Sequence, residues 1–560
     1  MPWSQEYYKR SRTPKFYKMS SYKGFTTVEL KKPTRSLFDL SHEKRVSFKM
    51  GKLVPVFISE TVPNDTFKCN TEIMLRLAPL LAPIMHRVNV FVHYFFVPNR
   101  LLWKDWEKFI TNGRLGTETP PVPPYISINS TGALGQSLLD NGSLFDYLGG
   151  VTIPDGGAAA YGNAALDMMP FGAYWKCWYD YYRDRNYVAD VNFLPMASGL
   201  DGGMIPLDAA SIITLRNRDY QKDYFTSALP WTQRGNEVLM PLVGSGVVSL
   251  NTSSTNAMLV KNATTGATLV GPNTLQADAT GNLEGITGAV NSTLDPNGRL
   301  TATVNASGVS INDLRKSIRL QEWLERNALA GSLYTESIRA HFARRSSDSR
   351  LQRAEYLGGG KVTVKISEIV TTAWSEDGAA NPIPVGTMAG HGLTFGNSNQ
   401  FTYNCEEHGF VIGIMSVMPN TAYMQGIPRM FTQRNTFLEY PWPSFAHLGE
   451  QPVYKYEIFA DPTNYTNNRN ANPVFGYQSR YADWKYIPSS SHGDFKVSLS
   501  FWHLTRKFAT SPVLGFAFCN FENSLPDRVF AVSDVQQLWA YIYNNVTVKR
   551  SLPYYGTPQM

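Results

Sequence analysis

With 560 residues, of which 17% are charged and 13% aromatic, the chain is long enough for a large core and carries less charge than the roughly 25% usual in soluble domains. Its cysteines, Cys69, Cys177, Cys405 and Cys519, are far apart, which excludes a disulfide framework and a zinc ribbon and suits a reducing compartment; no apolar run approaches the roughly 20 residues of a membrane-spanning helix. The net charge of +7 equals that of residues 1–45 alone, where eleven Lys or Arg face four carboxylates, so the remainder is formally neutral and a basic folded body is excluded.

The first element is therefore a basic N-terminal arm, residues 1–45, whose opening "MPWSQEYYKRSR" has no signal-peptide core. Lys9, Arg10, Arg12, Lys15 and Lys18 interleave with Trp3, Tyr7, Tyr8, Phe16 and Tyr17. Cations for phosphates and rings for bases are what a single strand of nucleic acid requires, so these five basic residues are the candidate nucleic acid contacts. An arm packed on a neighbouring subunit is the other reading, and the two are compatible.

A period of two then predicts a half-buried strand over 67–77, with Phe67, Cys69, Thr71, Ile73, Leu75 and Leu77 on the inner side. "RVNVFVHYFFV" (87–97) predicts a deeper one, closed by Pro98. "TPPVPP" (119–124) reads as an extended spacer, and "YWKCWYDYYRDRNY" (174–187) carries rings too densely for one stripe, as a core or subunit interface does. From Thr232 to Glu322 there is no Phe, Tyr or Trp, where this composition would place about a dozen. Residues 236–311 within it, rich in Thr, Asn, Gly, Ser and Val with recurrent turn signals, read as an insertion of small exposed strands joined by turns.

Asn312 is placed to cap a helix with Leu314, Ile318, Trp323 and Leu324 as its apolar stripe, and Ser332 a shorter one through Phe342. Nine Lys or Arg between Arg315 and Arg353 fit a solvated helix face. Alternation returns at "KVTVKIS" (361–367) and at "DFKVSLSFWH" (494–503), where Phe495, Val497, Leu499 and Phe501 would share a face.

Candidate chemistry centres on "NCEEHGFVIGIMSVMP" (404–419), which sets Cys405, Glu406, Glu407 and His408 before an apolar run. If the alternation extends backward, Cys405 and Glu407 point away from Glu406 and His408, and the chain contains neither CxxC nor HxxxH to complete a metal set. The quartet therefore reads as the rim of a strand buried on both faces. "YLGGGKV" (356–362) has Glu355 where a phosphate loop needs its first glycine and Val362 where it needs Ser or Thr. "SSSHGD" (489–494) gives Ser, His and Asp adjacency in sequence, whereas a triad is assembled in space. A hydrolase using Cys405 or Cys177 remains a rival, as does a carbohydrate-binding jelly-roll module with 236–311 as a lid.

Seven stretches in order carry a resemblance: "FDLSHEKRVSFKMGKLVPV" (38–56), "HYFFVPNRLLWKDWEKFITNG" (93–113), "DYFTSALPWTQRG" (223–235), "LRKSIRLQEWLERNALAGSLYTESIRAHF" (314–342), "RLQRAEYLGGG" (350–360), "CEEHGFVIGIMSVMPNTAYMQGIPR" (405–429) and "HGDFKVSLSFWHLTRKF" (492–508). Together they resemble the major capsid proteins of Microviridae, specifically the gokushovirus branch. The resemblance implies a mainly β fold, a single eight-stranded antiparallel jelly roll of viral capsid type with long inserted loops and a few short helices. The body would span 46–235 and 312–560, with 236–311 as a surface protrusion at the threefold axes involved in host attachment. It also implies a homo-oligomeric icosahedral shell around circular single-stranded DNA, with a small basic DNA-binding protein, a pilot protein, a scaffolding protein during assembly and a host surface receptor as partners. No catalysis, metal or cofactor is implied, and the place is the virion, assembled in the host cytoplasm.

Overall fold

The computed structural model describes residues 34–555 except 114, 116–117, 128–137, 153–164, 237, 239–243, 251–258, 263–274, 278–282, 286–291, 296–299, 307–310, 332–333, 371–374, 377–381, 384–387, 398–399, 433, 462–464, 466–470, 522–526 and 533–534. Lys9, Arg10, Arg12, Lys15 and Lys18 lie outside the described residues. The fold is mainly β, with several antiparallel sheets and few helices.

Eleven strands form the two principal sheets, and we number only these: β1 (Ser36–Asp39), β2 (His42–Phe48), β3 (Val54–Thr61), β4 (Thr66–Leu77), β5 (Val88–Pro98), β6 (Glu355–Thr363), β7 (Lys365–Val370), β8 (Met388–Asn397), β9 (Phe401–Asn404), β10 (Gly409–Pro419) and β11 (Leu538–Arg550). The first sheet runs β1, β11, β4, β8, β7; β2 continues β1 along β11, and β9 continues β8 along β4. The second runs β6, β5, β10, β3.

The first sheet obeys the period of two. In β4 the predicted inner residues Phe67, Cys69, Thr71, Ile73, Leu75 and Leu77 are all buried, and Lys68, Glu72 and Arg76 are exposed. Its neighbour β11 buries Leu538, Ala540, Ile542, Asn544, Val546 and Val548 on the same side. One face is thus wet and the other meets the second sheet through Phe48, Val56, Tyr94, Phe96, Val411 and Met415. The second sheet is dry on both faces at its centre, where every residue of β10 and all of β5 but His93 are buried, while its edge strand β6 is only partly covered. Its far face packs Phe95, Phe410, Ile412 and Ile414 against the helix Met169–Cys177 and its one-turn continuation Trp178–Tyr182. The dense rings of 174–187 are therefore largely core: Tyr174, Trp175, Trp178 and Tyr179 are buried, with Cys177 among them.

Three expectations need correction. "KVTVKIS" is not one strand, because Val364 is a corner: Thr363 still pairs with Asn89 in the second sheet while Lys365 pairs with Leu393 in the first. Residues 494–503 are not a strand either. They fold as single turns, Gly493–Lys496 and Ser500–Trp502, with the Val497 and Leu499 amides donating to the Asp494 carbonyl at 3.0 and 2.9 Å. Val497 is left 77% exposed, since no neighbouring strand offers a ladder to hold the alternation flat. Finally, the helices are not all short: Ile311–Ala330 runs 20 residues and already includes Asn312, which therefore does not cap it, and Tyr334–Phe342 follows, while the expected cap Ser332 lies outside the described residues.

Within 236–311 the strands are nested pairs: Gly244–Leu250 with Leu300–Ala306, Leu259–Asn262 with Ser292–Asp295, and Leu275–Ala277 with Leu283–Gly285. No helix among the described residues is long and apolar enough to cross a membrane.

Candidate functional site

The Cys405–His408 quartet lies in a bend between β9 and β10, so the strand alternation does not extend backward through it. Its members have separate employments. Cys405 is buried, and burial pushes its thiol up to about 12, so it stays a protonated, inert packing group. Glu407 grips Arg100 through two oxygens, Nε to Oε2 at 2.5 Å and Nη2 to Oε1 at 3.0 Å. The His408 ring stands edge to face with Trp106 at 5.6 Å. Among the described residues there is no group of three or more His, Cys, Asp or Glu placed to hold a metal ion.

The other motif candidates resolve into packing. Gly358–Gly360 lie in β6, paired with His93 and its neighbours on β5. A Cβ on Gly359 would come within 2.5 Å of the Val92 carbonyl and 2.7 Å of the His93 ring, so close strand approach accounts for that glycine. In "SSSHGD", Ser490 Oγ lies 2.8 Å from His492 Nε2, both exposed, while Ser491 bonds Thr505 at 2.6 Å. The Asp494 carbonyl closes its own turn. Cys177 is buried and its thiol is held well above the usual range by burial and by Asp180.

Sequence reasoning missed a polar cleft of about 580 Å³ where Trp178–Tyr182, β5, β6 and residues 218–222 meet. Its wall is cationic and aromatic. Arg218 lies over the Phe91 ring at 4.1 Å and donates to Ser416 Oγ at 2.7 Å; Arg183 lies over Tyr179 at 4.0 Å and reaches Asp190 at 2.9 Å. His93 Nδ1 and the Tyr182 hydroxyl are 2.7 Å apart, and burial, with Arg218 nearby, pushes the imidazole down to about 4. A neutral histidine beside a phenol whose own ionisation is suppressed by burial has no proton to exchange near pH 7. Of the cations lining the cleft, Arg183, Arg185, Arg218 and Lys222 are thus already held by rings, a hydroxyl or carboxylates. Only the ring density of 174–187 signalled it, because its other walls come from distant stretches.

A second acid-bearing contact joins the helix Ile311–Ala330 to the body. Glu450 is half-buried, its Oε2 finds no hydrogen bond, and a methyl on adjacent Gly449 would stand 3.5 Å from Glu325 Oε1. Burial first, and then repulsion from Glu325, raise the Glu450 carboxyl to about 7, with Lys485 opposing. A raised carboxyl contributes stability that is complete below its ordinary 4.5 and is lost as pH rises through about 7. Glu450→Gln is therefore expected to match the parent below pH 4.5 and to melt higher than the parent above pH 7, as measured by thermal unfolding across that range.

Comparison with known proteins gives one consistent result. The profile of the family described as "Capsid protein (F protein)" matches residues 26–560. The chain is 33% identical over 594 aligned residues to capsid protein VP1 of Chlamydia phage 1, covering 95% of this chain and 97% of that one. It is 32% identical to capsid protein VP1 of Bdellovibrio phage phiMH2K, covering 96% and 97%, and 27% identical to that of Spiroplasma virus 4, covering 94% and 95%.

Proposed function

The chain belongs to the phage capsid protein (F protein) family, and on that premise we propose how its segments divide the work of building the particle. It is a major capsid protein of a small single-stranded DNA phage, of the gokushovirus type its sequence resembles. Membership makes it a structural subunit of an oligomeric shell, located in the virion. The observation that carries this reading is the match across nearly the whole chain.

The framework is read as a single eight-stranded jelly roll, and strand order supports it. Counting β1 with β2, and β8 with β9, as single interrupted strands, the chain alternates between sheets: first, second, first, second, then second, first, second, first. Each sheet then holds four strands in the order of two interleaved Greek keys, with β7 as an added edge. The long connection from β5 to β6, residues 99–354, contains residues 236–311.

Residues 236–311 are read as an exposed protrusion for host attachment, set into a body of 46–235 and 312–560. The nested strand pairs support this, since they bond to one another and to no strand of either principal sheet. Replacing 236–311 by a short Gly-Ser bridge should leave shells forming and abolish attachment to host cells; loss of folding would overturn the insertion reading. Residues 1–45 are read as an arm facing the packaged circular single-stranded DNA. Changing Lys9, Arg10, Arg12, Lys15 and Lys18 to Gln should make DNA retention weaker and less salt-dependent, and unchanged packaging would assign that task to the small basic DNA-binding protein. The pilot protein, the scaffolding protein and a host surface receptor complete the proposed partners, with assembly in the host cytoplasm. Electron microscopy of particles made with the neighbouring phage genes tests the whole reading: uniform icosahedral shells support it, and dispersed soluble subunits overturn it.

A further inference from the structure

The connection from β10 to β11 carries an aromatic surface that neither fold nor motif accounts for. Phe437, Tyr440, Trp442, Leu448 and Trp484 are each 49–65% exposed. Two ring contacts and two hydrogen bonds tie them together in sets: Tyr440 and Trp484 lie 6.3 Å apart with the Arg434 guanidinium over both, at 4.2 and 4.9 Å, Phe437 meets Phe445 at 6.5 Å, Trp442 Nε1 reaches the Phe437 carbonyl, and the Leu448 amide donates to the Phe445 carbonyl.

Side-chain donors brace the backbone of this stretch. Arg434 Nη1 donates to the Glu439 carbonyl at 3.0 Å, and Trp442 Nε1 to the Phe437 carbonyl at 3.2 Å. Arg480 and the Tyr481 hydroxyl both donate to the Leu438 carbonyl, at 3.0 and 3.2 Å. One-turn helices at Phe437–Glu439 and Pro443–Phe445 fix the backbone between them. The rings are therefore presented on a braced loop, so little further ordering is needed to bury them.

Taking about 200 Å² for each fully exposed side chain of this size, the five residues show roughly 500 Å² of mostly apolar surface. That exceeds the scattered exposure normal for a monomer and equals the apolar share of the ~800 Å² each partner gives to a standard interface. The two charges of the loop, Arg434 and Glu439, are engaged inside it, and the exposed Lys485 and His447 adjoin the patch beside Trp484 and Leu448. We propose that the surface around Phe437, Tyr440, Trp442 and Trp484 is a contact between two copies of this chain in the shell. A second copy is the occupant because the shell is built chiefly of this chain; this step rests on the capsid reading.

Wild-type shells and dissociated wild-type subunits, compared by hydroxyl-radical footprinting, test it directly. Trp442 and Phe437 should be protected in the shell, with an oxidation rate about tenfold lower, as expected for centrally buried rings. Equal oxidation in shell and subunit overturns the proposal while leaving the capsid reading intact. Protection that disappears from particles lacking the pilot or DNA-binding protein, yet still closed, assigns the surface to that protein and also overturns it. Phe437→Ala with Trp442→Ala should keep the subunit's thermal melt and lower shell yield at fixed subunit concentration by at least tenfold, since truncating such anchors weakens a contact by about thirtyfold each, ~2 kcal/mol. Full yield from the folded double variant refutes the assignment. Absence of shells from the wild type itself would instead count against the capsid reading.

Discussion

Subunits carrying Arg429→Met are expected to lose about 3–5 kcal/mol of stability, enough to leave few of them folded at assembly temperature. Arg429 is buried in the connection from β10 to β11, with its guanidinium over the Tyr454 ring at 5.4 Å. Its Nη2 donates to Glu457 Oε1 at 3.0 Å and to the Pro452 carbonyl, and its Nη1 faces Asp483 at 3.6 Å. Glu457, 7% exposed, also accepts from the Tyr454 amide and the Tyr224 hydroxyl, both at 2.9 Å. Removing the guanidinium leaves that carboxylate charged, dry and without its counterion, which costs far more than the pair itself contributes. Burial and the adjacent Glu457 raise the Tyr224 phenol well above its ordinary range, so it remains a donor and cannot substitute for the lost cation. Adding Glu457→Gln to Arg429→Met should recover roughly half the loss, because the Gln amide carries no charge to neutralise, keeps its oxygen toward the Tyr454 amide and turns its NH2 toward the Tyr224 hydroxyl oxygen, which can accept. Urea unfolding of the soluble subunit, compared at constant slope, measures both; a loss under 1 kcal/mol in the single variant would mean that water reaches Glu457 in solution.

None of that pair was legible in the sequence. Arg429 and Glu457 stand 28 positions apart on irregular chain, and periodicity speaks only for residues that share an element. What was legible followed directly from side-chain period. The inner face of β4 and the doubly buried β10 were read residue by residue, since burial on one or both sides of a sheet writes itself as alternation or as a continuous apolar run. The same rule failed in both directions elsewhere. Phe495 to Phe501 alternate yet form turns, because alternation permits a strand and only a partner strand enforces it. The strand β11, which lies between β2 and β4, went unread because Asn544 interrupts its inner row of Leu538, Ala540, Ile542, Val546 and Val548. The polar quartet at 405–408 was judged correctly as a rim, though its residues are held by a bend, an Arg100 clasp and a Trp106 contact that the sequence did not show.

Asn544→Leu is expected to cost about 2–3 kcal/mol, although it places a hydrophobic side chain of similar size in a hydrophobic core. Asn544 is fully buried on β11 and its side chain joins both sheets. Its Nδ2 donates to the Val56 carbonyl on β3 at 3.1 Å, and its Oδ1 accepts from Thr71 Oγ1 on β4 at 2.9 Å; Thr71 in turn accepts from the Tyr94 hydroxyl on β5. The Val56 contact depends on a defect in the second sheet. Gly413 pairs with Phe57 but Ile414 pairs with Pro55, so Val56 is the extra residue of a bulge and its carbonyl turns toward β11. Leucine would remove both buried bonds that the amide makes, to the Val56 carbonyl and from the Thr71 hydroxyl, and that loss outweighs the apolar area gained. Tyr94→Phe should cost about 1 kcal/mol alone and much less in the Asn544→Leu background, since the chain it feeds is already broken. Such non-additivity, measured by urea unfolding of the four proteins, is the signature of a connected network; additive losses would mean that each hydroxyl finds water independently. Because the inner face of β11 is otherwise apolar, a slip of β11 by two residues along β4 would keep that face buried and yet move Asn544 away from Val56. The network therefore selects one register of the central strand, and with it one relative setting of the two sheets that every subunit must share for identical contacts to close a shell.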